Sequence, residues 1–83
     1  MATISAKFIA GELVPGLVNG DYRIDDGSSF RDLLSVCESQ CGASVPPDNL
    51  KLMYLLFNGK PVTFDSAVTG DGVLHVCRVV LGG

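Results

Sequence analysis

Tryptophan is absent from this 83-residue chain, histidine occurs once, and only six residues are basic against nine acidic. Each shortage excludes something. A single histidine and no cluster of acids and bases leave little from which to build a catalytic site. The six cations, Lys7, Arg23, Arg31, Lys51, Lys60 and Arg78, lie far apart in a chain of net charge −3. Sequence-independent nucleic-acid binding needs such residues clustered to displace counterions, so no nucleic-acid partner is expected. No apolar run approaches the ~18 residues of a membrane span. The segment Met1 to Lys7 alternates instead of leading from a basic stretch into an apolar block, so neither a leader nor a membrane partner is expected. Three cysteines are an odd number, which suits a reducing, cytoplasmic setting better than a disulfide framework.

What is present is a core. Hydrophobic residues make up 47% of the chain and charged residues 18%, which excludes a disordered tail. A chain this short buries only roughly 60–65% of the surface its unfolded form exposes, leaving little room for a deep cleft. A binding, carrier or subunit role is the natural expectation.

Along the chain, Thr3-Ile4-Ser5-Ala6-Lys7-Phe8-Ile9 alternates with period two, putting Ile4, Ala6 and Phe8 on one face of a half-buried strand. Gly11, Pro15, Gly16 and Asn19-Gly20 mark a loop, and Asp21 to Asp25 alternates again with Tyr22 and Ile24 inward. Ser28 or Ser29 can accept hydrogen bonds from the first amides of a helix. Phe30, Leu33, Leu34, Cys37 and Cys41 then share one helical face, opposite Arg31, Asp32, Ser35, Glu38 and Ser39, and Gly42 supplies the stop. Pro46-Pro47-Asp48 reads as a rigid connector. Leu50 to Phe57 is almost continuously apolar, which predicts a strand buried on most of both faces, turning at Asn58-Gly59-Lys60-Pro61 before a short strand near Val62. After Thr69-Gly70-Asp71-Gly72, Val73 to Leu81 predicts a last strand running into Gly82-Gly83. The pattern is α+β, with one main helix packed across a mixed four- to five-stranded sheet.

Alternation also yields a candidate surface. With Met53, Leu55, Leu74 and Val76 toward the helix, Tyr54, Leu56, His75, Cys77 and Val79 form an outward, mostly apolar patch, the kind of surface that marks a partner-docking site. Cys37, Cys41, His75 and Cys77 are the residue types of a zinc site. The same parity sets the first two on the core face of the helix and the last two away from it, so no metal is expected and the helical cysteines read as small core residues. Asp25-Asp26, Asp65 and Asp71 read as solvated turn residues.

The element order, the Phe57-Asn58-Gly59-Lys60 turn, the Gly70-Asp71-Gly72-Val73 approach to the last strand and the Gly82-Gly83 pair together resemble the ubiquitin-like β-grasp proteins. Among these the likeness is to the ThiS/MoaD sulfur-carrier family, over essentially the whole chain. The resemblance implies a single β-grasp domain over residues 1–81 and a flexible diglycine tail at 82–83. It further implies that the chain is a substrate and not an enzyme, with Gly83 as the adenylation and thiocarboxylate site and Gly82 beside it. No cofactor is bound on this reading; ATP is used by an adenylating activating enzyme, and the sulfur passes to an acceptor synthase, of which the chain could itself be the small subunit. The free chain is expected to be monomeric. Two glycines suit such a tail, because without a Cβ they thread a narrow channel and take backbone angles closed to other residues. A ubiquitin-like modifier joined through Gly83 to lysines, and a plain interaction domain with an incidental diglycine, are the alternatives. Arg78-Val79-Val80-Leu81 stands where molybdopterin-synthase small subunits carry a Pro-Pro pair, so the receiving pathway stays open.

Overall fold

The computed structural model describes residues 1–80; Leu81, Gly82 and Gly83 lie outside the described residues. Five strands, β1 (Ala2–Phe8), β2 (Gly20–Ile24), β3 (Met53–Phe57), β4 (Lys60–Val62) and β5 (Gly72–Arg78), and one helix, α1 (Phe30–Cys41), carry the fold. The sheet order is β2-β1-β5-β3-β4, with β1 and β5 parallel and the other neighbours antiparallel. One mixed sheet of five strands with a helix across one side is the architecture expected from the residue pattern.

The core lies between α1 and the sheet. Alternation aims Ile4, Ala6, Tyr22, Ile24, Met53, Leu55, Leu74 and Val76 at the helix, and all are buried. Phe30, Leu33, Leu34 and Cys37 meet them from one helical stripe, and the rings of Phe30 and Phe57 pack 5.2 Å apart at a tilted angle.

Ser29 is the N-cap, and every amide of the first helical turn has a partner. Ser29 Oγ accepts from the Asp32 amide and the Asp32 carboxylate accepts from the Ser29 amide, a reciprocal capping box. The Phe30 and Arg31 amides donate to the carbonyls of Ser66 and Phe64, and the Leu33 amide to that of Ser29. The loop after β4 thereby satisfies donors that a helix end leaves open. Gly42 closes the helix in the left-handed conformation, φ 64°. Glu38, on the polar side of the helix, accepts from the Val45 amide at 2.7 Å and ties down the following loop.

Three segments differ from expectation. The apolar run Leu50 to Phe57 is not one strand buried on both faces. Residues Pro47–Leu52 form a 3-10 helix, started by the preset backbone angle of Pro47, and the strand begins only at Met53. Met53 and Leu55 are buried and Tyr54 is exposed, so β3 covers the core with one face only. The last strand ends at Arg78 and does not include Val79 and Val80, because its pairing with β3 stops at Met53; the Val79 amide still reaches the Leu52 carbonyl at 2.8 Å, and the expected end at Leu81 lies outside the described residues. Within the first loop, Leu13 and Val14 are buried beside a short 3-10 turn, Gly11–Leu13, so part of that loop belongs to the core.

The Asn58-Gly59 turn shows why two separate sequence features belong together. Asn58 and Gly59 both have positive φ, 52° and 81°, as a two-residue hairpin requires. Asn58 also bonds across to β5: its amide donates to the Val73 carbonyl and its Oδ1 accepts from the Val73 amide, each at 2.9 Å. A Cβ at Gly72 would stand 2.5 Å from Asn58 Oδ1 and 2.7 Å from the Phe57 ring.

Two stability outcomes follow from these contacts. Ser29→Ala should lower stability by about 1 kcal/mol, read as a Tm drop of roughly 4–8 °C. Gly72→Ala should cost about 1–3 kcal/mol through overpacking against Asn58 and Phe57, read as a lower denaturant midpoint. An unchanged midpoint would show that the Asn58 side chain yields freely.

Candidate functional site

The features that position the site are the central place of β5 and the pairing of its outer residues. β5 lies between β1 and β3, so His75 stands level with Lys7 on one side and Leu56 on the other, and Cys77 stands level with Tyr54. The pleat turns Leu74 and Val76 to the helix and His75 and Cys77 to the outside. Tyr54 is 46% exposed, while Leu56, His75, Cys77 and Val79 are partly covered by their sheet neighbours. Tyr54, Leu56, His75 and Cys77 therefore lie on one side of the sheet and away from α1; Val79 stands just past the strand's end, where its amide reaches the Leu52 carbonyl.

The patch is wider than alternation in two strands suggests. Val73, of the same parity as His75, is 37% exposed at the start of β5, and Pro61 stands level with Leu56 on the edge strand. Ile9, immediately after β1, is 60% exposed, and its amide donates to the Val76 carbonyl beside Cys77. Val73 and Ile9 were within reach of the sequence through strand parity. Pro61 was not, because its placement needs the β3–β4 register.

The chain leaves β5 at the end of the sheet where Ile9 and Leu52 lie. There Arg78 is held by Glu12 at 2.7 Å, and Leu52, Arg78, Val79 and Val80 line an open cleft. Gly82 and Gly83, the candidate reactive pair, lie outside the described residues.

The thiols occupy different environments. Cys37 is buried in the core, and burial first, with the Cys41 thiol adding, pushes its thiol up to about 12. It stays protonated and unreactive at neutral pH. Cys41 is half-buried, 3.1 Å from the Tyr22 hydroxyl, which donates to the Val18 carbonyl. That phenol is pushed well above its ordinary value, by burial first and then by Cys41. Cys77 lies on the other side of the sheet, so the helical pair and the strand pair do not meet. Among the described residues no group of three His, Cys, Asp or Glu side chains converges to hold a metal. The gap between helix and sheet, lined by Phe30, Leu33, Cys37, Leu74 and Val76 among others, has a volume of about 10 Å³, below what a small-molecule ligand needs.

A Cys77 thiolate beside Tyr54 raises the pKa of the exposed phenol, because adding a second negative charge next to the first is unfavourable, and hydrogen bonding between the two groups acts in the same direction. Cys77→Ala should therefore lower the Tyr54 titration midpoint, followed by NMR through the shift of its ring carbons. A midpoint that stays in place would mean the two groups do not interact across the strands.

No protein-family model and no curated protein sequence matches this chain. Solved structures do. SAMP1 from Haloferax volcanii aligns with a TM-score of 0.68 at 17% identity, covering 99% of this chain and 100% of that one. A protein assigned as molybdopterin converting factor, subunit 1, from Pyrococcus furiosus aligns with a TM-score of 0.66 at 16% identity, covering 96% and 100%. The likeness extends over essentially the whole length of all three chains, and the fold of this protein is the ubiquitin-like β-grasp.

Proposed function

We propose that this protein is a sulfur carrier, acting as the substrate of an activating enzyme. The observation that carries the reading is the combination of a β-grasp fold with a Gly82-Gly83 pair four residues after the end of its central strand in the sequence. With Gly83 as the terminal residue, its α-carboxylate would attack the α-phosphorus of ATP on the activating enzyme. Pyrophosphate leaves and an acyl-adenylate forms. A hydrosulfide-equivalent nucleophile then adds to the acyl carbon and displaces AMP, leaving a thiocarboxylate that an acceptor synthase can draw upon. No side chain of this chain is needed for either step, which accords with its poverty in acid–base groups.

Its own residues would serve docking. Ordering a glycine tail in an enzyme channel costs about 1–2 kcal/mol per residue, so contacts elsewhere must offset it. The outer patch of Tyr54, Leu56, His75, Cys77 and Val79 is the proposed source of those contacts. Val79 and Val80 would lead from that patch to the diglycine. Two molecules whose names point to different uses, SAMP1 and a molybdopterin converting factor subunit, share this fold at under 20% identity, so the receiving pathway is open.

Incubation with an adenylating enzyme of the same genome, ATP and a sulfur source should raise the intact mass by the difference between sulfur and oxygen. Deletion of Gly83 should abolish that gain while leaving the thermal transition unchanged. Isopeptide-linked peptides bearing the tail, found without any mass gain of this kind, would instead favour a protein modifier.

A further inference from the structure

The two edges of the sheet are unlike. β4 is three residues long with Pro61 at its middle, which blunts it as a template for a further strand. β2, at the opposite edge, has no proline, and its free backbone groups can be assigned. In β1 the Thr3 amide turns to Asp71, before β5, and the Phe8 amide turns to Asn19, before β2. Even-numbered residues of β1 therefore face β2, so the pairs Ala2–Ile24, Ile4–Tyr22 and Ala6–Gly20 exchange the ladder bonds. Asp21 and Arg23 alternate with these, and their amides and carbonyls point away from β1, to the free edge. Among the described residues none of those groups has a backbone partner beyond the strand, and neither side chain has an ion pair. Both residues are exposed, with their side chains on the side of the sheet opposite the buried Tyr22 and Ile24.

We propose that the β2 edge is a self-pairing surface, occupied by the β2 edge of a second copy of this chain in antiparallel register about Tyr22. The charge pattern selects that register. A two-fold axis makes the pairing antiparallel, and keeping core-side residues opposite core-side residues puts the axis at a residue and not between two. Centred on Tyr22, Asp21 stands opposite Arg23 of the second copy and Arg23 opposite its Asp21, so each direct charge pair is attractive. Centring on Asp21 or on Arg23 would set that residue against its own counterpart. Centring on Ile24 would run the pairing off the strand, where the Asp25 carbonyl already accepts from the Ser28 amide. About Tyr22, Asp21 and Arg23 also exchange both backbone hydrogen bonds of each pair, because theirs are the groups that face the edge. Gly20 falls opposite Ile24, and Asn19 opposite Asp25, so no like charges are directly opposed. The joint uses the rim of the sheet, with β1 between it and β5, and does not depend on the sulfur-carrier reading. One strand of five residues makes a small interface, so the association is weak and the chain is monomeric when dilute.

The test is a charge-swap cycle on the full chain, followed by sedimentation equilibrium and by amide NMR shifts as its concentration rises to about 1 mM, the range of a weak contact. The wild type should dimerise, with the shifts centred on the Asp21 and Arg23 amides. Asp21→Arg and Arg23→Asp each oppose like charges across the joint and should raise the dissociation constant about tenfold. The double variant Asp21→Arg/Arg23→Asp restores opposite signs and should return it to within about threefold of wild type. Arg23→Pro removes an amide that faces the edge and not β1, so it should abolish the dimer while keeping a cooperative thermal transition. A wild type monomeric at 1 mM would overturn the inference. So would single variants that dimerise as well as wild type, or a folded double variant that fails to recover. Concentration-dependent shifts centred on Tyr54 and His75 instead would overturn it in favour of association through the sheet face.

Discussion

The parallel pairing of β1 with β5 is the constraint on which the rest of the structure depends. It joins the first and last strands at the middle of the sheet, where Ile4, Ala6, Leu74 and Val76 make a floor that α1 covers. Parallel neighbours cannot be joined by a tight turn, and here the connection takes in every other element of the fold. β2 folds back on the outer edge of β1, while β3 and β4 fill in beside β5. Because β5 is hydrogen-bonded on both sides and buried on one face, its position is fixed relative to the whole core. The residues that follow it leave from a defined point.

That geometry gives a physical reason for the coexistence of a small core and a functional role. A protein of this size has little room for a deep cleft in its core, and the space between helix and sheet is nearly filled. What the fold can do is hold one face of its sheet open. The helix occupies one side, leaving the other to Tyr54, Leu56, Val73, His75 and Cys77, all on strands whose inner faces are locked in the core. The backbone of this face is the backbone of the core, so little beyond its side chains is left to order.

Much of this was legible in the amino-acid pattern because the two periodicities differ so clearly. The helical stripe of Phe30, Leu33, Leu34 and Cys37 and the alternation of Ile4 and Ala6, or of Leu74 and Val76, each fit one period and no other. Parity alone then assigned the outer residues. It failed where apolar residues run together. Leu50 to Phe57 contains no polar marker except Lys51, so a 3-10 helix ending at Leu52 and a strand starting at Met53 look like one element. The end of the last strand was hidden for a different reason. Val79 and Val80 have excellent strand propensity, but ladder pairing also needs a neighbour, and β3 begins only at Met53.

The Asn58–Gly72 contact shows how a motif spread along the chain can reflect one local event. Asn58 uses positive φ to turn the hairpin, and its side chain then bonds the Val73 amide at the start of the central strand. That close approach is open only because Gly72 lacks a side chain. The hairpin turn and the glycine before the last strand are thus two halves of one contact, which sets where β5 begins relative to β3. Register in a sheet moves in steps of one residue, and each step inverts the faces. A slip here would send His75 and Cys77 into the core and bring Leu74 and Val76 out. The contact at the start of β5 therefore decides which side chains its outer face carries along its whole length.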